Sequence, residues 1–304
     1  MSIWVCGEVL IDLIPDAPGS ENRVAHVGGG PANTAKALAR LGHAVYFIDG
    51  ISRDDYGKKA EQELLDDEVK LDLALVSDKP TCLAIVSLDE KGGASYEFKI
   101  EGTATFDFSS SWLPDPSRYK PQVLHIGTLV TVIEPACDVL YEWAMQVAEF
   151  APIVFDPNVR SVVMNDREKY VAAVERWVAL SSVVKVSDDD LAWLYPSESY
   201  SEVAQRWIAG GVTLVVITRG AAGLIGITAE GAVEVPGVKV DVVDTVGAGD
   251  TVGAIVVEAM VEKGILALTG DTLKEVLHRA AVAAGITCSR AGAQPPYKRE
   301  LKGV

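Results

Sequence analysis

Residues 244–250, which read Asp-Thr-Val-Gly-Ala-Gly-Asp, combine two glycines with two aspartates in a short stretch. The β-branched run 238–243 precedes them and predicts a strand, whereas the apolar run 251–263 predicts a buried helix that ends at Gly264. A glycine-rich turn between a strand and a helix offers backbone N–H groups at the positive end of the helix dipole, where they bind anions. Gly247 and Gly249 allow the unusual backbone angles and the close approach that such a site needs.

Asp250 is unusual at an anion site, because its carboxylate would repel a bound phosphate. The conflict disappears if the carboxylate faces a neutral hydroxyl group while the backbone amides face the phosphate. That arrangement places a base beside the nucleophile and donors around the migrating group, as phosphoryl transfer requires. The simpler alternative is that Asp250 only caps its helix.

A second glycine-rich segment lies near the N-terminus at residues 28–33, which read Gly-Gly-Gly-Pro-Ala-Asn. Its glycines allow close approach to the backbone, and Asn33 precedes a helix predicted over residues 34–41. A tight loop with a helix cap at Asn33 explains the same pattern without a ligand. Asp12 follows the apolar strand predicted over residues 3–6 and either caps a turn or points into a polar pocket.

Apolar runs that suit buried strands alternate with helical segments along most of the chain. This alternation predicts an α/β fold with a mostly parallel, doubly wound sheet and helices on both faces. The predicted strands are 45–48, 123–126, 153–156, 183–186 and 214–218, and the predicted helices are 56–67, 135–150, 167–179 and 203–209. In such sheets, ligands bind outside the carboxyl ends of the strands. The polar residues that follow these strands are Asp156, Asn158, Arg160, Ser187, Asp190, Thr218 and Arg219.

A hairpin pattern interrupts the alternation. Extended runs at residues 81–88 and 95–100 are joined by residues 89–93, which read Asp-Glu-Lys-Gly-Gly. Because the rest of the chain alternates strands with helices, we expect this hairpin to belong to a small, separate sheet.

The composition of the 304 residues, 49% hydrophobic and 23% charged, is that of an ordinary globular protein. The net charge of -16 argues against nucleic acid or an anionic membrane as a partner. Four scattered cysteines without a CxxC motif, an N-terminus unlike a signal peptide and apolar runs too short for a membrane span favour a cytoplasmic protein. The sequence lacks a P-loop motif and lacks GxGxxG in a first βα unit, which argues against P-loop enzymes and dinucleotide oxidoreductases.

Residues 28–35 and 244–251 together resemble the two signature motifs of the PfkB (ribokinase-like) carbohydrate kinase family. The resemblance covers nearly the whole chain and includes the hairpin, which is similar to that family's β-sheet lid. It implies one ribokinase-like domain over residues 1–304, with a lid subdomain formed by about 9–30 and 80–106. It also implies a small-molecule sugar and Mg-ATP as ligands, and it leaves a homodimer through the lid open.

The resemblance implies roles for individual residues. Asp250 is similar to the catalytic base, and Gly247, Ala248 and Gly249 are similar to the anion hole. The implied sugar-binding residues are Asp12, Gly28, Gly29, Asn33, Phe98 and Arg160. The implied nucleotide-binding residues are Lys185, Ser187, Asp190, Thr218, Gly220, Gly223, Ala284 and Thr287.

The chain departs from the family pattern in three places. Val252 stands where an aromatic residue is usual, and Ile255 stands where a small residue is usual. The family's Asn-x-x-Glu, which helps to organise Mg²⁺ and phosphate, is replaced by Ser187 and Asp190, and the Asp190 side chain is one methylene shorter.

A monovalent cation site built from hard oxygen ligands is typical of the family that this chain resembles. Pro296 stands where a hydroxyl residue often completes that site, so dependence on K⁺ stays open. The implied ligands are Asp244, Val246, Thr287, Arg290 and Gly292.

Residues 155–160, which read Phe-Asp-Pro-Asn-Val-Arg, resemble a segment shared by fructokinases and 2-keto-3-deoxygluconate kinases. Arg160 offers a rigid fork of donors to substrate or phosphate oxygens, and a surface ion pair is the alternative. The lid segment 96–98 is more similar to fructokinases. A sugar acid would need a cation such as Lys99 or Arg160 pointed inward.

We therefore expect an ATP-dependent kinase that phosphorylates D-fructose. A 2-keto-3-deoxygluconate kinase ranks second and a nucleoside kinase third. A sensor that binds sugar without catalysis is the alternative from a different class of protein.

Overall fold

The computed structural model describes residues 2–17, 20, 22–88 and 94–304. Its strands are β1 (Ile3–Cys6), β2 (Leu10–Pro15), β3 (Arg23–Gly28), β4 (Val45–Ile48), β5 (Gly50–Ser52), β6 (Leu75–Ser77), β7 (Leu83–Leu88), β8 (Ala94–Lys99), β9 (Val123–Gly127), β10 (Ile153–Asp156), β11 (Val183–Ser187), β12 (Leu214–Thr218), β13 (Leu224–Thr228) and β14 (Gly231–Val235). Its α-helices are α1 (Gly30–Arg40), α2 (Asp55–Asp66), α3 (Pro116–Tyr119), α4 (Ala136–Ala148), α5 (Arg167–Leu180), α6 (Asp188–Leu194), α7 (Tyr200–Ala209), α8 (Ala248–Lys263) and α9 (Gly270–Cys288).

The largest sheet has eight strands in the order β14-β13-β12-β11-β10-β9-β1-β4. Neighbouring strands from β4 to β12 run parallel, and β13 and β14 add antiparallel strands at one edge. Every residue of β1, β9 and β10 is buried, as expected for apolar strands that are covered on both faces. The predicted mostly parallel α/β sheet is confirmed.

Helices cover both faces of this sheet. One hydrophobic cluster contains side chains of α1, α8 and α9, and a second contains side chains of α4, α5 and α7. Along β1, Val5 belongs to the first cluster, whereas Trp4 and Cys6 belong to the second, because successive strand residues point to opposite faces. Among the residues that the structure describes, the helices lack the length and apolar character that a membrane span needs.

Smaller sheets stand apart from the central one. A four-stranded sheet has the order β3-β2-β7-β8, and β5 pairs with β6. The antiparallel pairing of β7 with β8 is the hairpin that the sequence predicts. Its predicted turn, residues 89–93, lies outside the described residues.

The first helix begins earlier than predicted. α1 starts at Gly30 rather than at residue 34, because Gly29 adopts a φ of 106° that turns the chain into the helix and Pro31 suits a first helical turn. Asn33 therefore lies inside the helix instead of preceding it.

The predicted strand over residues 238–243 is wrong. Among the described residues this segment pairs with no strand. Hydrogen bonds from the N–H groups of Val243 and Asp244 to Cys288 O, at 2.8 and 3.2 Å, connect its end to the rest of the fold. A β-branched composition favours an extended backbone but supplies no pairing partner. The segment instead passes over the end of α9, a helix that the sequence analysis did not predict.

Asp54 connects α2 to the four-stranded sheet. Its carboxylate caps α2 by accepting a hydrogen bond from Gly57 N–H at 2.7 Å. It also accepts hydrogen bonds from the N–H and the hydroxyl of Thr81, just before β7, at 2.8 and 2.6 Å. Partial burial would raise the pKa of Asp54, but the hydrogen bonds from Thr81 and Gly57 outweigh it and lower the pKa.

We expect Asp54→Ala to lower the free energy of unfolding by roughly 1–3 kcal/mol at pH 7, since it removes a helix cap and the connection to Thr81. A group whose pKa is lowered by folding stabilises above its unfolded pKa, and this stabilisation is lost as the pH falls. The difference from wild type should therefore shrink below about pH 4. Urea unfolding of wild type and Asp54→Ala measures the difference in the free energy of unfolding at pH 7 and at pH 3.

The control variant is Asp115→Ala, because Asp115 caps the short helix α3 through Ser117 N–H at 2.8 Å. We expect a smaller loss for this variant. Equal losses for the two variants would show that the bonds to Thr81 contribute nothing.

Candidate active site

Two clefts of about 710 Å³ each meet at the N-terminus of α8. They share Thr245 and Gly249, so the glycine-rich turn separates them. The first cleft lies between the carboxyl ends of β1 and β10 and the four-stranded sheet. The second cleft lies between β12, the segment 237–242 and α9. A group bound in one cleft can therefore reach a group bound in the other only across this turn.

The turn before α8 presents backbone donors. Gly247 has a left-handed φ of 80°, and a Cβ at this position would lie 2.7 Å from the loop that follows α9, so only glycine fits. The N–H of Ala248 donates to Thr245 O at 3.3 Å, whereas the N–H groups of Gly249 and Asp250 have no acceptor in the described part of the chain. An anion at the junction of the clefts would meet these donors at the positive end of α8.

Asp250 is buried beside this junction, with 8% of the residue exposed, and lines the first cleft. Its side chain makes no capping hydrogen bond to α8, so the interpretation of Asp250 as a helix cap is wrong. Burial is the main cause that raises the pKa of Asp250 to about 6, with Lys185 opposing the rise and Asp156 adding to it. At neutral pH the carboxylate is thus ionised and still basic enough to accept a proton.

Asn33 joins the two glycine-rich segments. Its side-chain amide donates to Asp250 Oδ2 at 2.9 Å, although the two residues are 217 positions apart. Its backbone N–H donates to Gly29 O at 2.9 Å within the first turn of α1, so the interpretation of Asn33 as a helix cap is also wrong. The side chain is free to orient the Asp250 carboxylate.

Asp12 and two glycines form one wall of the first cleft. A Cβ on Gly28 would lie 2.3 Å from Asp12 Oδ2, and a Cβ on Gly29 would lie 2.3 Å from Glu8 O, so both positions exclude side chains. Burial raises the pKa of Asp12 to about 6, against the charge of Arg160. This wall of the first cleft therefore presents the Asp12 carboxylate, surrounded by closely packed backbone atoms.

Arg160 and Phe98 also line the first cleft. The Arg160 guanidinium donates to the carbonyl oxygens of Asn158 and Val159, at 3.3 and 3.2 Å. The salt bridges among the described residues do not include Arg160, which removes support for the alternative of a surface ion pair. Its charge is available to the first cleft.

Lys185 lines the first cleft, although the resemblance implies a contact with nucleotide. Its Nζ lies 2.8 Å from Asp156 Oδ2, and both side chains are buried. The structure therefore brings Lys185 close to Asp156 and Gly249 in the first cleft rather than among the other nucleotide-binding candidates.

Four of the predicted nucleotide-binding residues line the second cleft together: Thr218, Gly220, Gly223 and Ala284. Most of the remaining wall is apolar, as suits a planar heteroaromatic ring. The apolar wall residues are Leu224, Val238, Val240, Val242, Val252 and Ala281.

Ser187, Asp190 and Thr287 line neither cleft. Ser187 and Asp190 form the capping box of α6, and Asp190 also accepts a hydrogen bond from Val159 N–H at 2.9 Å. Thr287 is fully buried, and its hydroxyl lies 2.9 Å from the hydroxyl of Thr251. The structure therefore does not place these three candidates in the wall of either cleft.

Asp244 connects the start of the turn to the loop after α9. Its carboxylate accepts hydrogen bonds from Val246 N–H at 3.1 Å and from Gly292 N–H at 2.9 Å. The carbonyl oxygens of Thr287 and Gly292 each accept one backbone hydrogen bond. Each of these oxygens retains a lone pair, and hard cations prefer oxygen ligands of this kind.

The sequence analysis missed two charged residues that line the clefts. Glu8 follows β1 in the first cleft, accepts a hydrogen bond from the Thr128 hydroxyl and has a pKa raised by burial. Its position directly after a buried strand was the signal that could have identified it. Lys239 is the one charged side chain among the described residues that line the second cleft. Lys239 lies in the segment that was wrongly predicted to be a strand. The rule that ligands bind at the carboxyl ends of strands therefore could not identify it.

Comparison with known proteins identifies the family of the chain. A family model described as pfkB family carbohydrate kinase matches residues 2–300, and the chain belongs to this family. A fructokinase from Rhizobium leguminosarum bv. trifolii is 37% identical over 255 residues, which cover 83% of this chain and 77% of that relative.

Solved structures extend the agreement to the fold. A double mutant of fructokinase from Vibrio cholerae O395, with fructose, ADP and a potassium ion bound, is 29% identical and has a TM-score of 0.87, covering 99% of this chain and 97% of that chain. A fructokinase from Xylella fastidiosa with bound ATP has a TM-score of 0.91 at 24% identity, covers 99% of this chain and 97% of that chain, and shows the fold alone. The family and the fold class predicted from the sequence are both confirmed.

The raised pKa of Asp250 predicts how stability depends on pH. A carboxyl group whose pKa rises from an unfolded value near 4 to about 6 opposes folding when it is ionised, and this cost disappears below the unfolded pKa. We expect Asp250→Asn to raise the free energy of unfolding at pH 8 by roughly 2–3 kcal/mol, which corresponds to a shift of about two pKa units.

The gain should vanish as the pH falls through 6 toward 4. Denaturant unfolding of both proteins across this range measures it. An Asn variant less stable than wild type at pH 8 would show that ionised Asp250 stabilises the fold and that its pKa is not raised.

Proposed function

We propose that this protein transfers the γ-phosphoryl group of ATP to a hydroxyl group of a neutral sugar, D-fructose. The observation that carries the proposal is the position of Asp250 at the junction of two clefts, next to backbone N–H groups that have no acceptor in the described part of the chain. The relatives named as fructokinases, one of them with fructose and ADP bound, support the choice of ligands.

Each group at the junction has a chemical task in this reaction. A sugar hydroxyl in the first cleft lies against Asp250, which accepts its proton as the oxygen attacks the γ-phosphorus. Asn33 keeps the carboxylate oriented toward the hydroxyl through its hydrogen bond of 2.9 Å. The N–H groups of Gly249 and Asp250 stabilise the negative charge that develops on the transferring group.

We propose Mg²⁺ as the metal that accompanies ATP, where it neutralises phosphate charge when it is bound. The carboxylate of Asp190 is engaged by backbone N–H groups, so we assign the ion to the phosphates and water rather than to this side chain. We further propose K⁺ beside Asp244, because the oxygens gathered there suit a hard cation and a relative binds potassium.

The charges of the first cleft favour a neutral substrate. Its described lining includes four carboxylates and two cations, and one of those cations, Lys185, is already paired with Asp156. Lys99, a candidate partner for a sugar acid, pairs with Glu97 and does not line the cleft. Only Arg160 remains to hold a substrate carboxylate, against a surplus of negative charge. The four carboxylates are Glu8, Asp12, Asp244 and Asp250.

We also propose that the four-stranded sheet acts as a lid over the sugar, with the lid subdomain formed by about 9–30 and 80–106. The observation behind this role is that Asp12, Val86 and Phe98 of this sheet line the first cleft. Two copies would associate through this lid, because its edge strand β3 exposes Val24. The four free cysteines suit work in the reducing cytoplasm.

The base is tested by Asp250→Asn, which keeps the shape of the side chain but cannot accept the proton. We expect kcat to fall roughly 10²–10⁴-fold while binding of sugar and ATP is retained. Coupled assays of ADP release and calorimetric titrations measure the two effects. The matched control is Asp271→Asn, an aspartate in the first turn of α9, which should leave kcat unchanged. Wild-type turnover in Asp250→Asn would contradict the mechanism.

The substrate is tested with a panel of D-fructose, 2-keto-3-deoxygluconate and a nucleoside. We expect kcat/KM to be highest for fructose, because the cleft carries excess negative charge and pairs buried polar groups with hydroxyls. If the keto acid is preferred, and Arg160→Met removes the preference, the protein is a sugar acid kinase. Saturable binding of sugar without ADP release from any member would indicate a sensor instead.

A further inference from the structure

Lys185 and Asp156 form an ion pair beneath the start of α8. Lys185 comes from β11, Asp156 ends β10, and Lys185 Nζ lies 2.8 Å from Asp156 Oδ2. The two side chains are only 5% and 2% exposed. The other carboxylate oxygen of Asp156 has no hydrogen-bond partner among the described residues. Buried ion pairs add little net stability, so the presence of this one beside the base suggests a functional role.

The ammonium group of Lys185 lies against the turn that carries the base. A Cβ built on Gly249 would be 3.0 Å from Lys185 Nζ, so the ammonium touches the backbone one residue before Asp250. Burial alone would lower the pKa of Lys185, but the charges of Asp156 and Asp250 outweigh it and raise the pKa. The buried ammonium group of Lys185 therefore interacts electrostatically with two carboxylates, those of Asp156 and Asp250.

Other polar groups face the same space from the neighbouring elements. The side-chain amide of Asn33 in α1 donates to Asp250. The imidazole of His125 in β9 is neutral, because burial and the charge of Lys185 lower its pKa to about 3. The other charged groups that line this cleft are Glu8, Asp12, Arg160 and Asp244, and the charge of Asp190 in α6 acts on Lys185. Arg160 is exposed, burial raises the pKa of Glu8 and of Asp12, and Asp190 and Asp244 accept backbone hydrogen bonds.

We propose that Lys185 and Asp156 act as a positioning pair that sets the charge of Asp250, and that Lys185 does not contact the nucleotide. The inference rests on the proposed kinase function. Lys185 lines the cleft that holds the base, whereas the second cleft is lined by other candidates. The bond to Asp156 keeps the ammonium below Gly249, where its charge favours ionised Asp250 until the sugar releases its proton.

The two members of the pair act on Asp250 in opposite directions. The charge of Lys185 lowers the pKa of Asp250, and the charge of Asp156 raises it. In Asp156→Asn the ammonium faces Asp250 as its main carboxylate partner, so Asp250 should protonate at lower pH. In Lys185→Met the base loses its buried cation and should protonate at higher pH.

The test is the pH dependence of kcat with fructose and Mg-ATP, measured from pH 5 to pH 9. We expect the acid limb, where protonation of the base stops turnover, to move down by about 0.5–1 pH unit in Asp156→Asn and up by about one unit in Lys185→Met. Lys185→Met leaves Asp156 unpaired and buried, which threatens folding. The double variant Asp156→Asn/Lys185→Met avoids that charge, and its acid limb should lie about one unit above that of Asp156→Asn.

The matched control is Asp67→Asn, which removes a carboxylate from another buried ion pair, with Arg40 Nε at 2.7 Å, far along the chain from the base. Its acid limb should coincide with that of wild type. An acid limb that stays at the wild-type position in Asp156→Asn, and is the same in Asp156→Asn and in the double variant, would overturn the proposal. A raised KM for ATP in the double variant, with its acid limb coinciding with that of Asp156→Asn, would instead assign Lys185 to the nucleotide.

A second readout separates failure of this inference from failure of the proposed function. The difference in the free energy of unfolding between a protein that keeps Asp250 and its Asp250→Asn variant, followed against pH, reports the protonation of Asp250 without turnover. If no sugar is phosphorylated, the kinase proposal fails, yet this difference should still move to lower pH when both proteins also carry Asp156→Asn. A midpoint that is the same with and without Asp156→Asn would overturn the positioning pair.

Discussion

The hydrogen bond from Asn33 to Asp250, 2.9 Å long, links the starts of α1 and α8, and the arrangement of the clefts depends on it. It holds one carboxylate at the N-terminus of a helix whose dipole and free N–H groups attract a second anion. The glycines around it allow the backbone to pack closely against neighbouring protein atoms, since a Cβ at Gly28, Gly29 or Gly247 would meet such atoms at less than 3 Å. Asp250 therefore lies next to the turn that the two clefts share.

Burial of Asp250 makes its carboxylate more basic and makes the folded protein less stable. A carboxyl group with a pKa of about 6 is a stronger base than an exposed one, yet its ionised form is unfavourable in the folded protein. Lys185 offsets part of that cost, and Asp156 limits how far the cation can lower the basicity of Asp250. The central sheet brings Lys185 and Asp156 close to Asp250, because the strands that carry them end side by side beneath α8.

Much of this arrangement could be read from the sequence. The apolar strands, the hairpin and the two glycine-rich segments predict the sheet, the smaller sheet and the anion site, because each depends on local composition and spacing. The role of Asn33 could not be derived locally, since its partner is 217 residues away and its type equally suits a helix cap. Residues 238–243 were misassigned because strand pairing depends on neighbours that composition does not reveal. The position of Lys185 beneath the base depends on strand order in the same way.

The central claim is that the sugar hydroxyl, Asp250 and the transferring phosphoryl group meet at one point between the clefts. A crystal structure with D-fructose and a non-hydrolysable ATP analogue tests it most directly. The account predicts a sugar hydroxyl within hydrogen-bond distance of the Asp250 carboxylate and in line with the γ-phosphorus, with phosphate oxygens against the N–H groups of Gly249 and Asp250. Fructose bound with its hydroxyls away from Asp250, or phosphates outside this turn, would contradict the account.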